Sequence, residues 1–169
     1  MHWATNVSNK LERMEQTVSG LCMLALVITV LWGIVERYIL KMGSGWPDEL
    51  SRYLCIYAMM VGSGLAAARG AHVGVEVFVR TLSPNLRRKV EWLAYAASLI
   101  FTIALASVGF EYFGRLLRTM QRTPTIEFPI AYAYLAIPVG AVLMTLHYLL
   151  KLIAFRAEHS APDKEEAHG

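Results

Sequence analysis

Three stretches of this chain run without a single Lys, Arg, Asp or Glu: Val18 to Val35, Trp92 to Phe110 and Phe128 to Leu150. At about 1.5 Å of rise per residue, a helix of some 20 apolar residues matches the roughly 30 Å hydrocarbon core of a bilayer. Lipid offers the backbone no hydrogen-bond partners, so a segment crossing it must satisfy its own N–H and C=O groups, and runs of this length do so as helices. A fourth run, Tyr53 to Ala68, is shorter and rich in small residues. It spans if its helix begins near Pro47 and Arg52 keeps its charge at the headgroups with its stem buried. With 56% hydrophobic and 17% charged residues, the chain lacks the polar surface that a water-soluble domain of this size requires. The expected fold class is an all-α integral membrane protein, with four transmembrane helices plus a short cytoplasmic-side interfacial helix. Residues 1–16 are expected to form a cytoplasmic tail, 17–155 the membrane domain and 156–169 a polar, disordered cytoplasmic tail.

The first run does not read as a cleaved signal peptide, because a mixed polar segment precedes it and no small-x-small pattern follows before Glu36 and Arg37. Of the 16 Lys and Arg residues, ten fall in the two terminal segments and the loop between the second and third runs. The positive-inside rule then puts both termini in the cytoplasm. Cys22 and Cys55 lie in different spans and read as small buried hydrophobes.

Helix ends are well marked. Trp46 precedes Pro47, which suits the first helical position, and Asp48 and Glu49 complement the amino-terminal dipole. Asp48 and Arg52 are four apart, the spacing of a local ion pair. Ala58, Gly62 and Ala66 then recur every fourth residue as a groove for close backbone approach, by another helix of this chain or by a second subunit. Val73, Val75, Val77 and Val79 alternate like a strand, yet an isolated strand is not viable in lipid. Read as a helix, Ala71 to Leu82 shows one apolar face and a Glu76–Arg80 pair, which suits the cytoplasmic interface, with Arg69 and His72 at its start. Ser83 and Pro84 restart the chain as cap and first helical residue.

Beyond Phe110 the helical pattern continues, with Glu111 and Arg115 four apart and Arg115, Arg118 and Arg122 along one side. This stripe reads as a solvated or lipid-phosphate face, or as a docking surface for an acidic partner outside the cytoplasmic membrane. Pro138 inside the last run predicts a kink. His147 is the one ionisable side chain well inside a run. Its closeness to Lys151 and the cytoplasmic edge favours a wet, structural role.

No Ser-His-Asp set, HExxH motif, phosphate-binding glycine loop or carboxylate cluster is present in the sequence, so no catalytic, cofactor-binding or metal-ligating residue is assigned. A four-helix cytochrome would need facing pairs of intramembrane histidines, and a self-sufficient small exporter would want an acidic residue at mid-membrane. Nothing suggests nucleic-acid binding.

In type, order and spacing, the segments Trp46-Pro47-Asp48-Glu49-Leu50-Ser51-Arg52-Tyr53, Ala68-Arg69-Gly70-Ala71-His72-Val73-Gly74-Val75-Glu76, Thr123-Pro124-Thr125-Ile126-Glu127-Phe128-Pro129 and Ile137-Pro138-Val139-Gly140 resemble the small membrane subunit of TRAP (tripartite ATP-independent periplasmic) transporters, the DctQ-like family. The resemblance runs from about Leu11 to Phe155. It implies a multi-pass protein of the bacterial inner membrane that is not an enzyme and needs no cofactor. It further implies two protein partners, a large multispan subunit carrying the substrate and sodium sites and a periplasmic substrate-binding protein, with this chain as fixed scaffold for the uptake of organic acids. Under it, Trp46, Asp48, Glu49, Arg52, Ala58, Gly62, Ala66, Arg69, His72 and Pro138 become candidates for holding the fold or the large subunit. Arg115, Arg118 and Arg122 become candidates for docking the binding protein.

Overall fold

The computed structural model describes residues 2–69 and 83–159. The first helix, α1, covers His2–Ile34 and runs on through a single π turn, Val35–Ile39. A short loop with left-handed backbone at Lys41 (φ 52°) and Gly45 (φ 74°) leads into α2, Trp46–Arg69. Next come α3, Pro84–Thr119, the short α4, Ile130–Tyr134, and α5, Ala136–His159. Four stretches of helix are long and apolar enough to cross a membrane, as the charge-free runs predict, and no strand is present among the described residues. The interfacial helix expected at 71–82, with His72 and the Glu76–Arg80 pair, lies outside the described residues, as does the tail from 160 onward.

The four long helices stand in a row rather than in a closed bundle. α1 packs on α2, α2 on α5 and α5 on α3, whereas α3 touches neither α1 nor α2 among the described residues. Helices in lipid gain nothing by hiding apolar groups from water, so their seams are set by how closely backbones can approach. The buried residues accordingly include Ala58 and Ala67 on α2 and Ala131, Ala133, Ala136 and Ala141 on α4 and α5. The large side chains Leu21, Leu24, Ile28 and Leu31 of α1 and Leu93, Ile100, Phe101 and Val108 of α3 point outward.

Glycine makes the central seam. A Cβ on Gly140 would stand 2.7 Å from the Met60 carbonyl oxygen and 2.8 Å from the Met60 Cβ, so α2 and α5 meet there at backbone contact. On the other side of α5, Gly109 of α3 faces Pro138, where an added Cβ would lie 3.1 Å from the proline nitrogen. Pro138 is fully buried in this seam. It has no N–H to give the carbonyl of Tyr134, and the helix is interrupted one residue later, at Leu135. The bonds Leu135 N to Ala131 O (3.0 Å) and Val139 N to Leu135 O (3.2 Å) carry the chain across the break. The kink expected from Pro138 is thus a division into α4 and α5.

At α3, Ser83 occupies the cap position, but its hydroxyl makes no capping bond. Its carbonyl serves instead, accepting from Leu86 N at 3.0 Å and Arg87 N at 2.9 Å. With 36 residues α3 measures about 54 Å, well beyond a bilayer core of roughly 30 Å.

Candidate functional site

The polar residues gather at the two ends of the row. At the end where α2 begins, Glu49 sits in the first turn, 5% exposed. Its Oε2 accepts the backbone N–H groups of Thr125 (2.9 Å) and Ile126 (3.2 Å), and its Oε1 accepts the Tyr53 hydroxyl at 2.9 Å. Those amides belong to the loop between α3 and α4. Bonds within the loop hold it in shape, with Thr123 N donating to Phe128 O at 2.8 Å, Phe128 N to Thr123 Oγ1 at 3.1 Å, and Ile130 N to Gln121 O at 3.0 Å. A carboxylate taking two backbone donors and a hydroxyl is satisfied despite its burial, and it ties the start of α2 to the far hairpin.

Asp48, next in the same turn, does not pair with Arg52. It pairs with Arg37 from the π turn that ends α1, because the short loop folds that turn directly opposite the start of α2. Arg52 is exposed and makes no ion pair among the described residues. Trp46 is also exposed, at the head of α2. The stripe beyond the spans is present and exposed: Arg115 holds Glu111 at 2.5 Å, Arg122 donates to the Glu127 carbonyl at 3.2 Å, and Arg118 makes no hydrogen bond among the described residues. The carboxylate-binding loop and this stripe lie at one end of the molecule.

The groove on α2 is turned toward α1 of the same chain. Ser19 Oγ donates to the Ala58 carbonyl at 3.2 Å, and a Cβ on Gly62 would meet Ser19 Oγ at 3.3 Å, while Ala66 is exposed. At the end of α2, Arg69 donates to Gln16 Oε1 of α1 at 3.3 Å.

The opposite end holds what the sequence pattern missed. His147 is not wet: it is 1% exposed, and its Nε2 lies 3.0 and 3.1 Å from the two carboxylate oxygens of Glu15 on α1. Gly64 of α2 leaves room for them, since a Cβ there would press the Glu15 carboxylate and Leu143, each at 3.2 Å. An ionisable pair is therefore buried between helices. No local signal announces it, because the partners are 132 residues apart and Glu15 precedes the charge-free run. The chemistry available at both ends is hydrogen bonding and charge pairing that fixes helices against one another. Among the described residues, no group of three or more His, Cys, Asp or Glu could hold a metal ion.

A row of long apolar helices, sealed by small residues and pinned at both ends by buried carboxylates, defines a multi-pass helical membrane protein. Residues 26–157 match the family described as tripartite ATP-independent periplasmic transporters, DctQ component, and the chain belongs to that family. It is 28% identical over 123 residues to the C4-dicarboxylate TRAP transporter small permease protein DctQ of Rhodobacter capsulatus, covering 73% of this chain and 54% of that protein. It thus spans about half the length of that relative. The sialic acid TRAP transporter small permease protein SiaQ of Vibrio cholerae is 26% identical over 142 residues, covering 84% of this chain and 81% of SiaQ. The ectoine TRAP transporter small permease protein TeaB of Halomonas elongata is 21% identical over 147 residues, covering 87% of this chain and 76% of TeaB.

Proposed function

We propose that this chain is the fixed scaffold in a TRAP-type secondary transporter of the bacterial inner membrane. A large multispan subunit carries substrate and sodium, and a periplasmic binding protein delivers an organic acid. Family membership supports the class, and the observation that carries the scaffold role is the open row. Both outer helices, α1 and α3, present large apolar side chains outward along their length, a surface suited to a second apolar protein as well as to lipid. Both termini are cytoplasmic in this reading, so the Glu49 loop and the arginine stripe face the periplasm, where the binding protein docks. The relatives named for C4-dicarboxylate, sialic acid and ectoine differ in substrate, in keeping with a selecting site outside this subunit.

The test is purification of the tagged chain in mild detergent. A multispan transporter subunit should come with it in stoichiometric amount, and a chain that purifies alone and moves a cation in liposomes sinks the proposal. Reporter fusions after Gly43 and Pro124 should score as periplasmic and one after Pro84 as cytoplasmic; the reverse pattern overturns the orientation.

A further inference from the structure

Directly after the apolar run of α1, the π turn buries Glu36. The residue is 7% exposed, and its Oε2 has no hydrogen-bond partner among the described residues. A buried carboxylate oxygen left without a donor is costly, and such a group marks a site whose donor comes from elsewhere. Glu36 lines a small pocket of about 20 Å³, open to the surface and large enough for an ammonium-sized group, together with Gly33, Ser44, Pro47 and the Arg37–Asp48 ion pair.

The chemistry of that pocket is specific. One acceptor is unsatisfied, beside a guanidinium whose planar fork carries further donors. The complement is a small cation with several N–H groups, covalently close to an anion. A metal ion fits poorly, because no cluster of three or more candidate ligand side chains stands here. An ammonium group needs only acceptors. Position identifies its source: Glu36 follows Val35, the last residue of an uninterrupted apolar run, and so lies at headgroup depth. The neighbouring Tyr38 and Ile39, each 72% exposed, and Met42, 60% exposed, offer an apolar collar for acyl chains.

We propose that this pocket binds a phosphatidylethanolamine headgroup, with its ammonium on Glu36 and its phosphodiester toward Arg37. The inference requires only that the chain sit in a bilayer, and stands apart from any role in transport.

The experiment is native mass spectrometry of the full chain in detergent with four lipids of identical acyl chains: phosphatidylethanolamine, its N-monomethyl and N,N-dimethyl forms, and phosphatidylcholine. Each methyl replaces an N–H donor, so binding should fall stepwise, by about tenfold across the series. Glu36→Gln should flatten the series. So should Ser44→Trp, which fills the pocket and leaves the carboxylate in place, and this variant decides the matter if Glu36→Gln does not fold. Equal binding of all four lipids by the parent overturns the proposal, as does either folded variant that keeps the full preference. Displacement of the bound lipid by millimolar lysine-rich peptide or potassium, in the parent but not in Glu36→Gln, would assign the pocket to another cation and overturn it too.

Discussion

The carboxylate of Glu15 straddles Nε2 of His147, with oxygens at 3.0 and 3.1 Å, and this pair joins α1 to α5 past the intervening α2. Both side chains are almost wholly enclosed, at 2% and 1% exposure. Removing either partner leaves the other buried and unpaired, which costs about 1–3 kcal/mol, more where a charge is stranded. Glu15→Ala and His147→Ala should each destabilise the protein by such an amount. The double variant should lose less than the two combined, with a coupling of about 0.5–3 kcal/mol in a cycle of detergent unfolding measurements. Strict additivity would show that the contact carries no energy.

At the other end, Glu49→Ala should release the loop between α3 and α4. Two backbone donors, at Thr125 and Ile126, lose their acceptor. The cost is about 1–3 kcal/mol, and amide exchange at those two positions should quicken while exchange near Glu15 stays as it was. Unchanged protection at Thr125 would refute the tie.

Glycine substitutions should rank by what a methyl group meets. Gly140→Ala drives into the Met60 backbone and should cost about 1–3 kcal/mol. Gly62→Ala meets only the Ser19 hydroxyl, which can rotate away, and should cost far less. Gly114→Ala meets nothing within 4 Å and, inside a helix, should be neutral or stabilising by up to about 1 kcal/mol. Thermal unfolding of the three variants checks the order, and a Gly140→Ala protein as stable as Gly114→Ala would refute the central seam.

Arg118 is the stripe residue whose charge no neighbour among the described residues engages. If the stripe docks an acidic face of a binding protein, exposed pairs of this kind act mainly on encounter rate and are weakened by salt. Arg118→Glu should then slow uptake at limiting binding protein, most at low salt, with the amount of assembled membrane complex unchanged. Liposome uptake across a titration of binding protein reads this directly, and identical curves for variant and parent would refute docking.

The spans were legible because bilayer thickness writes itself into the length of an apolar run. The same holds for local rules: Pro47 and Glu49 marked the start of α2, Glu111 and Arg115 paired at their four-residue spacing, and Pro138 interrupted its helix. What failed were choices among partners. Asp48 had Arg52 at helical spacing, yet the fold of the 40–45 loop gave it Arg37. His147 looked wet because Lys151 is near in sequence, and only the packing of α1 beside α5 brings it Glu15. Glu49 read as a dipole partner, but its acceptors are spent on a loop 76 and 77 residues away. In each case the pairing depends on which helices become neighbours, and a row of four similar helices carries no periodic signal for that order.

Because α2 and α5 meet along one line and, among the described residues, α3 reaches neither α1 nor α2, the arrangement is mechanically that of two leaves on a spine. Each leaf is a hairpin, and left to the spine alone the leaves could swing. Glu49 clasps one end of the spine to the opposite leaf, and the Glu15–His147 pair clasps the other. Each clasp reaches from the spine to an element off the line, α1 at one end and the loop between α3 and α4 at the other, and so resists rotation about it. Stiffness here comes from the perimeter, so losing one clasp should let the leaves splay at that end without unfolding a single helix.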